Sequence, residues 1–232
     1  MEVRNSQSVL EANLATVRQR IAVACARSGR SPEEITLVAV TKEVEVATIR
    51  QLYDLGIRDV GENRPQSLWR KYVHLPHDLR WHLIGHLQTN KVRRTLPLVH
   101  SIHSVDRPAV AEVISQEAER VEKRVPICLE VNVSGESTKD GFSPKEVTEH
   151  FPQIAELPGI TVIGLMTMAP FDEAIEHCRP VFAGLRKLRD ELGGKGALPM
   201  LSMGMSRDFE VAIEEGATHV RVGSALFEGI AT

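Results

Sequence analysis

Lys42 ends an apolar run, residues 35–40 (ITLVAV) followed by Thr41. A lysine at the end of an apolar strand holds its amine where desolvation and nearby positive charge favour the neutral form, and a neutral amine condenses with a carbonyl to an imine. The alternative is a lysine whose head snorkels into solvent. Toward the other end of the chain stand two stretches of small and polar residues, Ser202-Met203-Gly204-Met205-Ser206 and Arg221-Val222-Gly223-Ser224. Small residues let backbone N–H groups close on an anion, although a Gly-Ser pair also makes ordinary turns. Arg221 lies two residues before Gly223, so on a strand both face the same way. A permanently charged guanidinium there can hydrogen-bond a ring nitrogen and keep it unprotonated; the alternative is an outward, salt-bridging arginine.

An imine-forming amine together with an anion grip describes an aldehyde that carries a phosphate. Pyridoxal 5'-phosphate has both groups; a sugar phosphate held by a cofactor-free aldolase is a competing reading. His82 and His86, in WHLIGH, share a strand face but lie too far apart to bind one ion without a bend, and no carboxylate or cysteine completes a set within a few residues. They read as hydrogen-bonding pocket histidines or satisfied core residues, and no metal site is expected.

These residues need a scaffold that brings strand ends together. Residues 8–27 place Leu10, Leu14, Val17, Ile21 and Ala24 at spacings of three and four, an amphipathic helix stopped by Gly29. From there strands over 35–40, 57–60, 81–84, 98–102, 125–133, 160–166, 198–203 and 219–222 alternate with helices over 47–55, 65–72, 90–96, 107–123, 144–156, 173–192 and 207–215. Strict alternation implies a parallel sheet. Eight repeats in 232 residues suggest one closed (β/α)8 barrel with an extra N-terminal helix, an open doubly wound sheet being the competitor. In such barrels chemistry sits at the C-terminal strand ends. Lys42, Asn63, His82, Met166, Ser202, Met203, Gly204, Ser206, Arg221, Gly223 and Ser224 fall on or beside those ends.

Composition narrows the setting. Apolar residues are 42%, charged residues 25% and the net charge −3, which is ordinary for a globular chain and gives no electrostatic reason to expect nucleic acid. Cys25, Cys128 and Cys178 form no CxxC pair and read as buried, reduced thiols. No secretory signal and no run of about 18 apolar residues is visible, so a cytoplasmic location away from membranes is expected. No linker divides the chain, which reads as a single domain and, by default, a monomer.

The stretches VAVTK (38–42), GEN with Gln66, WHLIGHLQTNK (81–91), GLM (164–166), LSMGMSRDFEVAI (201–213) and VRVGSALFEG (220–229) together resemble the pyridoxal phosphate homeostasis family, also called the proline synthetase co-transcribed family. They span most of the chain in family order. The resemblance implies a barrel like the N-terminal domain of alanine racemases, with pyridoxal 5'-phosphate as a Schiff base on Lys42. It also implies phosphate held by Ser202 and the backbone of Gly223 and Ser224, Arg221 at the ring nitrogen, and Asn63, His82 and Met166 along the pocket. Family members are implicated in vitamin B6 balance without established turnover, with apo-enzymes that use the cofactor as expected recipients. Thr41 stands where the family commonly has Ser, and Arg64-Pro65 follows GEN where a tyrosine is usual. Racemases of this fold take a base from a second domain, which is not expected here; a weakly active amino-acid racemase is the alternative function.

Overall fold

The computed structural model describes residues 2–136, 139–170 and 174–230, with side chains from residue 6 onward. Strands β1 (Thr36–Val40), β2 (Asp59–Glu62), β3 (Arg80–Leu83), β4 (Ser101–Val105), β5 (Val125–Glu130), β6 (Ile160–Met166), β7 (Met200–Met205) and β8 (His219–Val222) form a closed barrel in sequence order. Every pairing is parallel, and closure runs through the register Ala39↔Val222 between β1 and β8.

The helices are α1 (Glu2–Arg27), α2 (Val46–Asp54), α3 (Pro65–Tyr72), α4 (Val92–Thr95), α5 (Pro108–Arg120), α6 (Pro144–Ala155), α7 (Arg179–Glu191), α8 (Gly194–Ala197), α9 (Phe209–Glu214) and α10 (Ser224–Phe227). Ser143 opens α6 with a reciprocal capping box to Glu146, and Pro65, Pro108 and Pro144 occupy first-turn positions that need no N–H donor. The apolar stripe of α1 is buried as its spacing predicts: Leu10, Leu14, Val17, Ile21 and Ala24 are each at most 5% exposed. This helix packs on α9 and α10. Its Asn13 donates to the carbonyls of Leu226 (3.0 Å) and Glu228 (2.9 Å), which ties the first helix to the last turn of the barrel.

Strand side chains divide by parity. Ala39, Val60, Leu83, Ile102, Leu129, Leu201, Met203 and Val222 join the main core under the helices. Cys128, Met166 and Met200 form a separate small apolar cluster. Gly164 sits where any Cβ would collide with the Met200 carbonyl, so β6 approaches β7 only because that side chain is missing.

Several elements depart from the sequence expectation. The second strand begins at Asp59 rather than Ile57, and the fourth spans 101–105 rather than 98–102. Pro97 sits in a 3-10 turn, Leu96–Leu98, that delays the fourth strand. The fifth strand stops at Glu130, and Val131 makes only an isolated bridge to Phe142. The seventh runs on to Met205, with a register shift against β8 between Ser202 and Met205. The helix expected over 173–192 starts outside the described residues. Its described part is a 3-10 turn, Ile175–Cys178, followed by α7. Among the described residues no helix is long and apolar enough to cross a membrane.

Candidate functional site

The end of β1 is fixed more tightly than a free loop would be. Thr41 is fully buried; its N–H donates to the Gly61 carbonyl (2.9 Å) and its hydroxyl to Glu62 Oε1 (2.9 Å). Glu62, also fully buried, accepts from Lys71 Nζ of α3 at 2.7 Å, and the same Nζ donates to the Thr41 carbonyl at 2.6 Å. An ion pair between neighbouring elements therefore holds the peptide that precedes Lys42. The chain turns at Lys42-Glu43, which puts Lys42 in the exposed class at the rim, rather than at the edge of the barrel interior where an apolar run would leave it. Among the described residues its amine has no hydrogen bond or ion pair.

Beside this turn lies the end of β8. A Cβ on Gly223 would sit 3.3 Å from Val40 Cβ, so the backbone that follows β8 runs against the strand that carries Lys42. The hydroxyl of Ser206 accepts from the backbone N–H of Gly223 (3.2 Å) and of Ala225 (3.3 Å). Two N–H groups thus converge on one oxygen at the start of α10, the arrangement that receives an anion's oxygens. Gly204 makes the turn toward Ser206 possible. Its φ is +91°, and a Cβ there would lie 2.6 Å from Ala212 Cβ and 2.8 Å from Phe209 Cα.

Arg221 points into the barrel, 4% exposed, and donates through Nη1 to Ser202 Oγ (2.7 Å) and through Nη2 to the Thr167 carbonyl (3.0 Å). Burial pulls its pKa down to about 10, opposed by the nearby Glu130 and Asp208 carboxyls, so the guanidinium stays charged at neutral pH. Glu130, at the end of β5, is 6% exposed and has no side-chain hydrogen bond or ion pair among the described residues. Burial and the neighbouring Asp106 push its carboxyl up to about 7, partly offset by Arg221.

Lys42, Ser206 and Gly223 follow three neighbouring strands, β1, β7 and β8, with Arg221 turned inward from β8 and Ser224 exposed at the start of α10. Asn63 is half-buried on the turn after β2. Gly85 packs so closely on its backbone that a Cβ would lie 2.8 Å from Asn63 Cα. The remaining expected site residues lie deeper in the barrel or in its core. Met203 is fully buried and joins the main core outside the strands, and Met166 lies fully buried in the small cluster with Cys128 and Met200. Ser202 lies within β7, as the expected strand over 198–203 has it, and its hydroxyl is already shared by Arg221 and His103. His82, 2% exposed, bonds Asp59, Ser101 and His103 in the barrel interior. Arg64 is the N-cap of α3 with Pro65 at its first position, so that departure from the family pattern serves to start a helix.

Sequence reading missed Asp59, Ser101, His103, Glu130 and His219, all turned into the barrel. The signal present was polar residues at alternate positions of β4 (Ser101, His103), which an apolar-run criterion discards. His86 reaches Asp106 at 2.9 Å (Nδ1 to Oδ2), and with Asp140 these form one group whose ligand-type atoms lie within 4.8 Å of one another. Arg107 already pairs with Asp106 at 2.9 Å, so that carboxylate is balanced without an ion.

Comparison with known proteins adds an independent line. The family model described as alanine racemase, N-terminal domain, matches residues 10–230. A pyridoxal phosphate homeostasis protein of Aquifex aeolicus (strain VF5) is 48% identical over 217 residues, covering 92% of this chain and 95% of the relative. The protein of that name from Escherichia coli (strain K12) is 37% identical over 226 residues, covering 93% and 94%. Among solved structures, PipY of Synechococcus elongatus PCC7942 with PLP bound superposes with a TM-score of 0.82 at 35% identity, covering 94% of this chain and 99% of that one.

Proposed function

The chain belongs to the pyridoxal phosphate homeostasis protein family, and from that premise we propose that it binds pyridoxal 5'-phosphate and holds it as a Schiff base on Lys42 to buffer or deliver it, without turning over amino acids. The observation that supports this reading is the contact of Gly223 with Val40 of the strand that leads to Lys42, beside the converging N–H groups of Gly223 and Ala225 and the buried guanidinium of Arg221.

The residues present fit the cofactor. A phosphate needs converging donors with room for backbone approach, which the cradle after β8 offers. A pyridine nitrogen needs a donor, which Arg221 offers. Bound there, pyridoxal phosphate supplies an aldehyde to which amines add reversibly. Lys42 offers the amine, and its exposure lets water and incoming amines reach the same atom, which suits capture and release. Ser206 surrenders its two backbone donors to phosphate oxygens and can itself donate to them. Arg221 keeps its own proton and donates toward the ring nitrogen; a nitrogen held unprotonated makes a weak electron sink, which supports holding over turnover.

Neither tyrosine stands at a C-terminal strand end to serve as a second base. Of the two tyrosines, Tyr53 bonds Asp78 on α2's exposed side and Tyr72 packs beside His77 and Trp81. Asn63 would flank the pocket from β2, and Ser202 would serve by bracing Arg221. A single-domain monomer in the cytoplasm, passing the cofactor to apo-enzymes, completes the proposal; three free, buried cysteines suit a reducing compartment.

Titrating the apo-protein with pyridoxal phosphate, recording the visible spectrum, reducing with borohydride and mapping the modified peptide tests it. One modified lysine, residue 42, is expected, with the absorbance band lost in Lys42→Ala and no deuterium exchange at Cα of D- or L-amino acids. Adducts scattered over surface lysines, or an unchanged band in Lys42→Ala, would overturn it.

A further inference from the structure

The barrel interior holds an unbroken line of hydrogen bonds from the proposed cofactor site to the opposite mouth. Arg221 Nη1 lies 2.7 Å from Ser202 Oγ, and Ser202 Oγ lies 2.9 Å from His103 Nδ1. His103 Nε2 is 3.0 Å from both Ser101 Oγ and His82 Nδ1, and Ser101 Oγ is 2.8 Å from His82 Nδ1. His82 Nε2 is 2.9 Å from Asp59 Oδ1, and Arg80 closes the line with two bonds to Asp59, at 2.7 and 2.5 Å. Ser202, Ser101, His103 and His82 are each at most 2% exposed.

The two ends dictate the direction of every bond between them. Arg221 can only donate and ionised Asp59 can only accept. Burial works against the Asp59 charge, but hydrogen bonds from Arg80 and His82 outweigh it and hold the carboxyl well below the usual range. His82 must therefore carry its proton on Nε2. The Ser101 hydroxyl, 2.8 Å away, donates to the remaining ring nitrogen, Nδ1. His82 Nδ1 is thus an acceptor facing His103 Nε2 and Ser101 Oγ. Two lone pairs cannot face each other at 3.0 Å, so His103 also carries its proton on Nε2. Its Nδ1 accepts from the Ser202 hydroxyl, which leaves the Ser202 lone pairs for Arg221. Full burial holds the pKa of His103 well below the usual range, so the ring stays neutral.

We propose that this one-way line is a strut that fixes Arg221, with His103 and Asp59 as positioning residues and both His82 and His103 held as Nε2–H tautomers. Its bearing on the cofactor rests on the reading of Arg221 above; its geometry does not. The strut lets a carboxylate at the bottom of the barrel set which atoms of Ser202 and Arg221 are free at the top.

Nitrogen-15 NMR of the histidine side chains in the apo-protein tests the strut without any cofactor. Both rings are expected as neutral Nε2–H tautomers in the wild type; a cationic His82, or an Nδ1–H tautomer at either ring, overturns the proposal. In Asp59→Leu nothing accepts from His82 Nε2, so His82 is expected to gain an Nδ1–H population; folded Asp59→Leu with both rings still purely Nε2–H also overturns it. Should that variant not fold, the wild-type spectrum still decides. Pyridoxal phosphate titration of Asp59→Leu is then expected to show a Kd raised about tenfold; altered tautomers with an unchanged Kd would sink the positioning role. Nε2–H rings in a wild type that binds no cofactor would refute the cofactor reading and leave the strut standing.

Discussion

Lys71→Met is expected to cost roughly 3–5 kcal/mol of folding stability, the penalty of leaving one partner of a buried ion pair uncompensated. Glu62 is fully buried, its Oε2 has no hydrogen-bond partner among the described residues, and its Oε1 keeps only the Thr41 hydroxyl once Lys71 is gone. The same change strips the Thr41 carbonyl of its donor, so the turn at Lys42 loosens as well. The double variant Glu62→Leu/Lys71→Met removes both charges and should recover most of the loss, because an apolar pair of similar volume carries no desolvation penalty. Urea unfolding of wild type, single and double variants gives the answer. A single variant within 1 kcal/mol of wild type, or a double variant as unstable as the single, contradicts the account.

Glu130→Gln should stabilise the apo-protein at pH 8 and do little at pH 4.5. The folded carboxyl titrates near 7 against an ordinary 4.5, so the folded state keeps a proton that the unfolded chain has released. Between those values stability falls as pH rises, and the loss is complete above about 7, on the order of 3 kcal/mol for a shift of this size. Glutamine keeps the shape and the neutral charge at every pH. For a chain of this length the difference corresponds to a Tm increase of about 5–10 °C at pH 8. Thermal melts of both proteins at the two pH values measure it; equal Tm differences at both would show that the carboxyl does not titrate in this window.

The positions of Lys42, Gly223 and Ser224 at strand ends were legible because each follows an apolar strand, and the end of a strand is what a hydrophobic run marks best. The eightfold alternation carried the barrel for the same reason. The interior was not legible. His103 and Ser202 are 99 positions apart yet share a hydrogen bond, and no local pattern announces such a partner. The fourth strand misled in particular: SIHSV is half polar, so its start was placed on the apolar Leu98-Val99, three residues early. That shift hid the inward face of Ser101 and His103. The seventh strand runs two residues beyond the expected Met203, so Gly204 and Met205 belong to the strand rather than to the turn after it. Glu130 was hidden within VPICLEVNV, where a lone carboxylate in an apolar run looks like noise.

The tie from Asn13 to the carbonyls of Leu226 and Glu228 spans more than 210 positions, and the first strand, paired early with the second, finds its other neighbour only in the last. A chain still emerging from the ribosome therefore displays Lys42 long before the turn after β8 exists. On the proposed reading, capture of the cofactor has to wait until that strand and its cradle of N–H groups have been made.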